Sequence, residues 1–114
     1  MSRPPLNAEW VEALVEASSQ RQGLSGVVAI AVGKTDRVVF EISGGRVVAA
    51  AEPGGAQVTI PVTADQLTSI LDGTESLAQA FMRGDVKPEG STGALLAAVE
   101  LFEDAGFRQR LARR

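Results

Sequence analysis

Between Gly26 and Val62 four apolar stretches alternate with glycine-rich turns, and this arrangement limits the possible folds more than any other feature of the chain. Gly26-Val27-Val28-Ala29-Ile30-Ala31-Val32 is apolar at every position, which predicts a central strand covered on both faces. Gly33-Lys34-Thr35-Asp36 turns the chain. Val38, Phe40 and Ile42 then alternate with Arg37, Val39, Glu41 and Ser43, the pattern of a strand with one wet face. Gly44-Gly45 is a two-residue hairpin signal before Arg46 to Ala51, and Glu52 to Ala56 makes a second turn. Val58, Ile60 and Val62 alternate with Gln57, Thr59 and Pro61, and Pro61, lacking an N–H, belongs near a strand end or an open edge.

Helical signals flank these strands. Residues 1–6 read as a flexible tail containing Arg3-Pro4-Pro5. A helix over 7–22 starts at Asn7, stapled by Leu6 and Val11, and runs to about Arg21 with Gly23 as its stop. Trp10, Leu14 and Val15 face inward, and Glu9, Glu12 and Glu16 outward. After the sheet of 26–62, Thr63 and Gln66 form a capping box for a helix carrying Leu67, Ile70 and Leu71 on one side, which Asp72-Gly73 ends. Ser76 and Gln79 repeat the spacing ahead of Leu77, Phe81 and Met82, and Gly84 stops that helix. A short strand is expected near Val86-Lys87. Ser91 or Thr92 caps a last long helix with Leu95, Val99 and Phe102 stacked and Leu96 broadening the stripe. Residues 63–104 thus form a unit of helices and one short strand, and 105–114 a basic end segment. The whole is one α+β domain over 1–114, an antiparallel-rich sheet of about five strands with helices on one face.

The strand pair around RVVFEISGGRVVAA, then TADQLTSILDGT, an AFMRG stop, D-V-K-x-E-G and a small-residue apolar helix together resemble the sterol carrier protein type 2 (sterol-binding) domain family, over roughly residues 26–102. The resemblance implies a sterol-carrier-like fold whose sheet and helices enclose an apolar tunnel or crevice for a lipid: a fatty acid, an acyl-CoA or a sterol-like molecule. It points to Leu67, Ile70, Leu71 and Leu77 as ligand-binding residues, with Phe81 and adaptable Met82 on one wall and Leu95, Leu96 and Val99 opposite. Phe102 and Leu111 are lid candidates, hinged at Gly106, and Phe102 is also counted with the binding residues. Two departures from the family pattern, Pro88 and the Gly90-Ser91-Thr92-Gly93 bend, favour an alternative: an interaction or accessory module that keeps the fold with a closed or degenerate pocket.

Composition narrows the chemistry. The 114 residues include neither cysteine nor histidine, which removes thiolate nucleophiles, disulfides and the commonest general base and metal ligand. Asp65, Asp72, Glu75, Asp85 and Glu89 sit at helix starts, stops or bends and form no paired acid site. Val32-Gly33-Lys34-Thr35 lacks the glycine a phosphate loop needs five residues earlier, where Val28 stands. The expectation is a non-enzymatic binder with neither cofactor nor metal. A net charge of −3 argues against a nucleic-acid partner. Arg108, Arg110, Arg113 and Arg114 would at most bring the protein transiently to anionic lipid, or simply close a helix end. No apolar run approaches the roughly 20 residues of a membrane span, and no secretory signal is visible, so a cytoplasmic monomer or homodimer is expected, with a protein partner open.

Overall fold

In the computed structural model, residues 6–18 and 23–113 are described. The elements follow in the order α1 (Ala8–Ala17), β1 (Gly26–Val32), β2 (Asp36–Ser43), β3 (Arg46–Ala50), β4 (Val58–Val62), α2 (Ala64–Asp72), α3 (Leu77–Met82), β5 (Glu89–Gly90), α4 (Thr92–Phe102) and α5 (Ala105–Ala112). One turn of 3₁₀ helix, Pro53–Gly55, occupies the second predicted turn. The strand order is β3-β2-β1-β4-β5. Three neighbouring pairs are antiparallel, and β4 returns beside β1 in parallel, pairing Val28 with Val58 and Val32 with Val62.

Local chemistry accounts for most boundaries. Asn7 accepts the Trp10 N–H at 3.0 Å and starts α1. Thr63 and Gln66 make both bonds of the capping box, at 3.0 and 2.8 Å. Ser76, Ser91 and Asp104 cap α3, α4 and α5. Both hairpin glycines, Gly44 and Gly45, take the positive φ that a two-residue turn demands. β5 pairs only with Val58 and Thr59, so the edge of β4 is open at Pro61, where no donor is needed.

Three expectations are corrected. α1 ends at Ala17, because Ser18 turns extended and its buried hydroxyl accepts the Val47 N–H of β3 at 3.0 Å. Arg21, the expected helix end, lies outside the described residues, as does the tail up to Pro5. The short strand forms at Glu89–Gly90 rather than Val86-Lys87. The N–H groups of Asp85 and Val86 close the end of α3 on the Ala80 carbonyl, Val86 is buried, and Pro88 has no N–H to give a ladder. At Gly90, φ is 129° and a Cβ would stand 2.2 Å from the Gln57 carbonyl oxygen, so glycine alone lets β5 approach β4. Finally, β1 is central but its two faces differ. Val28, Ile30 and Val32 are buried on the helix side, and on the other face Ala29 is buried while Val27 and Ala31 stay half-buried.

The helices form one layer. α1 packs on β3 and α5, α4 on β1, β4 and α5, and the two short helices α2 and α3 touch α5 and α4 respectively. α4 turns an alanine-rich face to the sheet: Ala94, Ala97 and Ala98 are buried along with Leu95, Leu101 and Phe102. A Cβ on Gly26 would lie 2.7 Å from the Ala94 Cα, so a strand glycine and a helix alanine set how closely α4 lies on β1.

Candidate functional site

The inner faces of β1 and β4 present Ile30, Ile60 and Val62, and the helices lay Leu67, Ile70, Leu77 and Phe102 over them. Their side chains surround a cavity of about 10 Å³ without a polar lining atom. This is about one water-sized sphere, against the ~300–1,000 Å³ of ordinary ligand pockets. Phe102 closes one side and is held by two edge-to-face contacts, to Phe40 of β2 at 6.5 Å and to Phe107 of α5 at 6.0 Å.

Four of the residues singled out from sequence, Leu67, Ile70, Leu77 and Phe102, therefore meet at one cavity. Leu95 is buried in the core nearby in sequence, and Leu71 and Val99 pack partly against the core. Phe81, Met82 and Leu96 face solvent, 46%, 81% and 48% exposed. The reason lies in the packing of α4. The apolar stripe read from leucines and valine turns partly outward, because the smaller alanine face allows the closer approach to β1. In α3, Leu77 and Ala80 take the inner positions and leave Phe81 and Met82 outside.

Sequence reasoning missed Phe107. It is fully buried on α5, with Leu111 one turn later partly buried against the core. Asp104 as N-cap followed by apolar residues at positions 107 and 111 was the available signal. Gly106 lies within the first turn of α5, and the chain break falls at Glu103 and Asp104 instead. Two of the arginines of this basic segment turn inward. Arg110 Nε donates to the Ala17 carbonyl at 2.6 Å, and Arg108 Nη1 to the Phe102 carbonyl at 3.0 Å, each completing the unpaired end of another helix. Arg113 is exposed, and Arg114 lies outside the described residues.

Polar groups elsewhere are tied into helix ends. The Ser76 hydroxyl donates to Glu103, joining the start of α3 to the end of α4. Arg83 pairs with Glu75 and, at 3.0 Å, with Asp85, and the Asp85 bond is the main cause of its raised pKa. Among the described residues no cluster of three or more acidic side chains could hold a metal ion. No described helix is long and apolar enough to cross a membrane.

Comparisons with known proteins agree with this α+β fold. The sequence profile of the SCP-2 sterol transfer family matches residues 9–103. The chain belongs to this family. Among solved structures, the crystal structure of sterol carrier protein 2 aligns with a TM-score of 0.68 at 19% identity, over 95% of this chain and 97% of that one. Palmitated SCP2L2 from Aedes aegypti aligns with a TM-score of 0.62 at 18% identity, over 90% and 95%. UbiJ-SCP2, a ubiquinone synthesis protein, aligns with a TM-score of 0.52 at 21% identity, over 93% and 81%. At these identities the likeness is one of fold. Among curated proteins, no sequence matches this one.

Proposed function

We propose that this SCP-2 domain binds and carries a lipid chain reversibly, without chemistry on it, in the seam between the sheet and α2 to α4. The observation that carries the reading is the wholly apolar lining of the cavity where the family's fold brings sheet and helices together. The palmitated relative from Aedes aegypti supports a fatty acyl chain as one cargo, with acyl-CoA and sterol-like molecules as the others to test.

At about 10 Å³ the cavity is the nucleus of a site, so uptake requires the seam to part. α5 is the element suited to move: of its side chains only Phe107 is buried, Leu111 is partly buried, and arginine bonds to carbonyls fasten it to α1 and α4. Lifting α5 uncovers Phe102. Leu67, Ile70, Leu77 and Phe102 would form the inner wall of the opened seam, with Leu71, Leu95 and Val99 joining as it widens. Phe81, Met82 and Leu96 would meet a ligand only if α3 and α4 rotate. A dozen methylenes at ~0.8 kcal/mol each offer roughly 10 kcal/mol gross. Association costs an estimated ~4–15 kcal/mol, leaving weak to micromolar binding that suits release.

The small cavity also favours a second reading, an accessory or protein-interaction module with a closed core. Native mass spectrometry of the purified protein, followed by titration with a fluorescent fatty acid and a fluorescent sterol, separates the two. Saturable uptake or co-purified lipid is the expected result. A folded protein that takes up neither lipid overturns the carrier reading in favour of the module.

A further inference from the structure

One charged side chain bridges the ends of the two helices that contribute Ile70 and Phe102 to the cavity. Ile70 lies in the last turn of α2, Phe102 is the last residue of α4, and both line the cavity. The two helix ends converge beneath Arg108 of α5. Its Nη1 donates to the Phe102 carbonyl at 3.0 Å, and its Nη2 lies 3.1 Å from where a Gly73 Cβ would be, just past the end of α2. A chain leaving the cavity between Ile70 and Phe102 would therefore emerge at a guanidinium.

That guanidinium has capacity to spare. It offers five N–H donors, and the bond to the Phe102 carbonyl uses one. The nearby anion, Asp72, is itself held by Thr74, whose hydroxyl and backbone N–H donate to Asp72 Oδ1 at 2.6 and 2.9 Å. The remaining donors suit the paired bonds a guanidinium makes with a carboxylate. The cavity wall below is purely apolar, so headgroup recognition at this mouth falls to Arg108.

We infer that Arg108 is the specificity-determining residue of the lipid site, receiving the anionic end of a single-chain amphiphile and selecting it over a neutral one of equal length. The inference rests on the carrier reading above and adds to it the headgroup class and the side chain that reads it. As α5 lifts and the tail displaces Phe107 from Phe102, Arg108 gives up its bond to the Phe102 carbonyl and turns the freed guanidinium to the carboxylate at the rim of the opened seam.

The test compares dodecanoate with 1-dodecanol by displacement of a fluorescent fatty acid, in the wild type, Arg108→Gln and Arg108→Lys. Wild type should hold dodecanoate about tenfold or more tighter than dodecanol, the scale of a charge-assisted hydrogen bond. Arg108→Gln should bring that ratio close to one and Arg108→Lys should restore part of it; the ratio within each variant is the readout, because loosening of α5 acts on both ligands alike. Equal binding of the two ligands by wild type, or an unchanged ratio in a folded Arg108→Gln, overturns the inference and leaves the carrier reading standing. Displacement by neither ligand overturns the inference, and failure of the folded protein to take up the fluorescent fatty acid itself removes the carrier reading as well. Should Arg108→Gln not fold, dodecanoate labelled with ¹³C at the carboxyl and bound to wild type decides the matter. A carboxyl pKa below that of the free acid supports contact with Arg108, and an equal or higher one refutes it.

Discussion

α4 and α5 are consecutive helices separated by a two-residue break, yet they are held in different ways. α4 lies on β1 through a continuous buried face, with Gly26 and Ala94 in close contact and Phe102 locked between two other rings. α5 fully buries only Phe107, packs Leu111 partly against the core, and is fastened by hydrogen bonds from Arg108 and Arg110 to carbonyls at the ends of α4 and α1. Apolar burial over many residues makes a helix part of the cooperative core, whereas a few polar fastenings at a half-exposed surface can open separately. On the carrier reading proposed above, α4 would be the permanent floor of the seam and α5 its cover.

Phe102→Ala should have the largest effect, about 3–5 kcal/mol of global stability, read from the urea midpoint. Phe107→Ala should instead loosen α5 alone: its amides exchange faster, those of β1 hardly change, and lipid uptake quickens. If the two substitutions lower the urea midpoint equally, α5 belongs to the core and the contrast fails. Next comes Gly26→Ala, whose new methyl would lie 2.7 Å from the Ala94 Cα. Overpacking should cost about 1–3 kcal/mol globally and show in β1 and α4 together. Asp104→Ala removes the cap of α5 and should cost about 0.5–2 kcal/mol, visible in α5 exchange and absent from β1.

The smallest effect concerns pH. The Asp72 carboxyl is held below its ordinary value of 3.8, first by the Thr74 hydroxyl, then by the Thr74 N–H, with a lesser contribution from the charge of Arg108. A depressed carboxyl pKa stabilises the fold above 3.8, and that contribution is lost as pH falls through the lower folded-state value. Carboxyl NMR of Thr74→Ala should show Asp72 titrating closer to 3.8. An unmoved titration would mean that Thr74 is not what holds it.

How much of this was legible before any coordinates depended on the range of the interaction. The alternation of Val38, Phe40 and Ile42, the Gly44-Gly45 hairpin and the Thr63/Gln66 capping box are readable because their partners lie within a few residues. The parallel return of β4 beside β1 left no local mark, since both strands read alike whichever neighbour they take. The lining of the cavity divided in the same way. Leu67, Ile70 and Leu77 follow from helical spacing in short, well-capped helices. Leu96 did not, because hydrophobicity alone ranks leucine above alanine, while the distance from β1 favours Ala97 and Ala98.

By itself, then, the sequence determined the order of strands and helices, their caps, the absence of histidine and cysteine chemistry, and the apolar character of one helix side, all from contacts between near neighbours. Only the tertiary structure decided which face of α4 meets the sheet, that Phe107 packs edge-on against Phe102, and that Arg108 bonds the Phe102 carbonyl. Those outcomes depend on close packing between elements far apart in the chain, where the size of a side chain counts as much as its polarity.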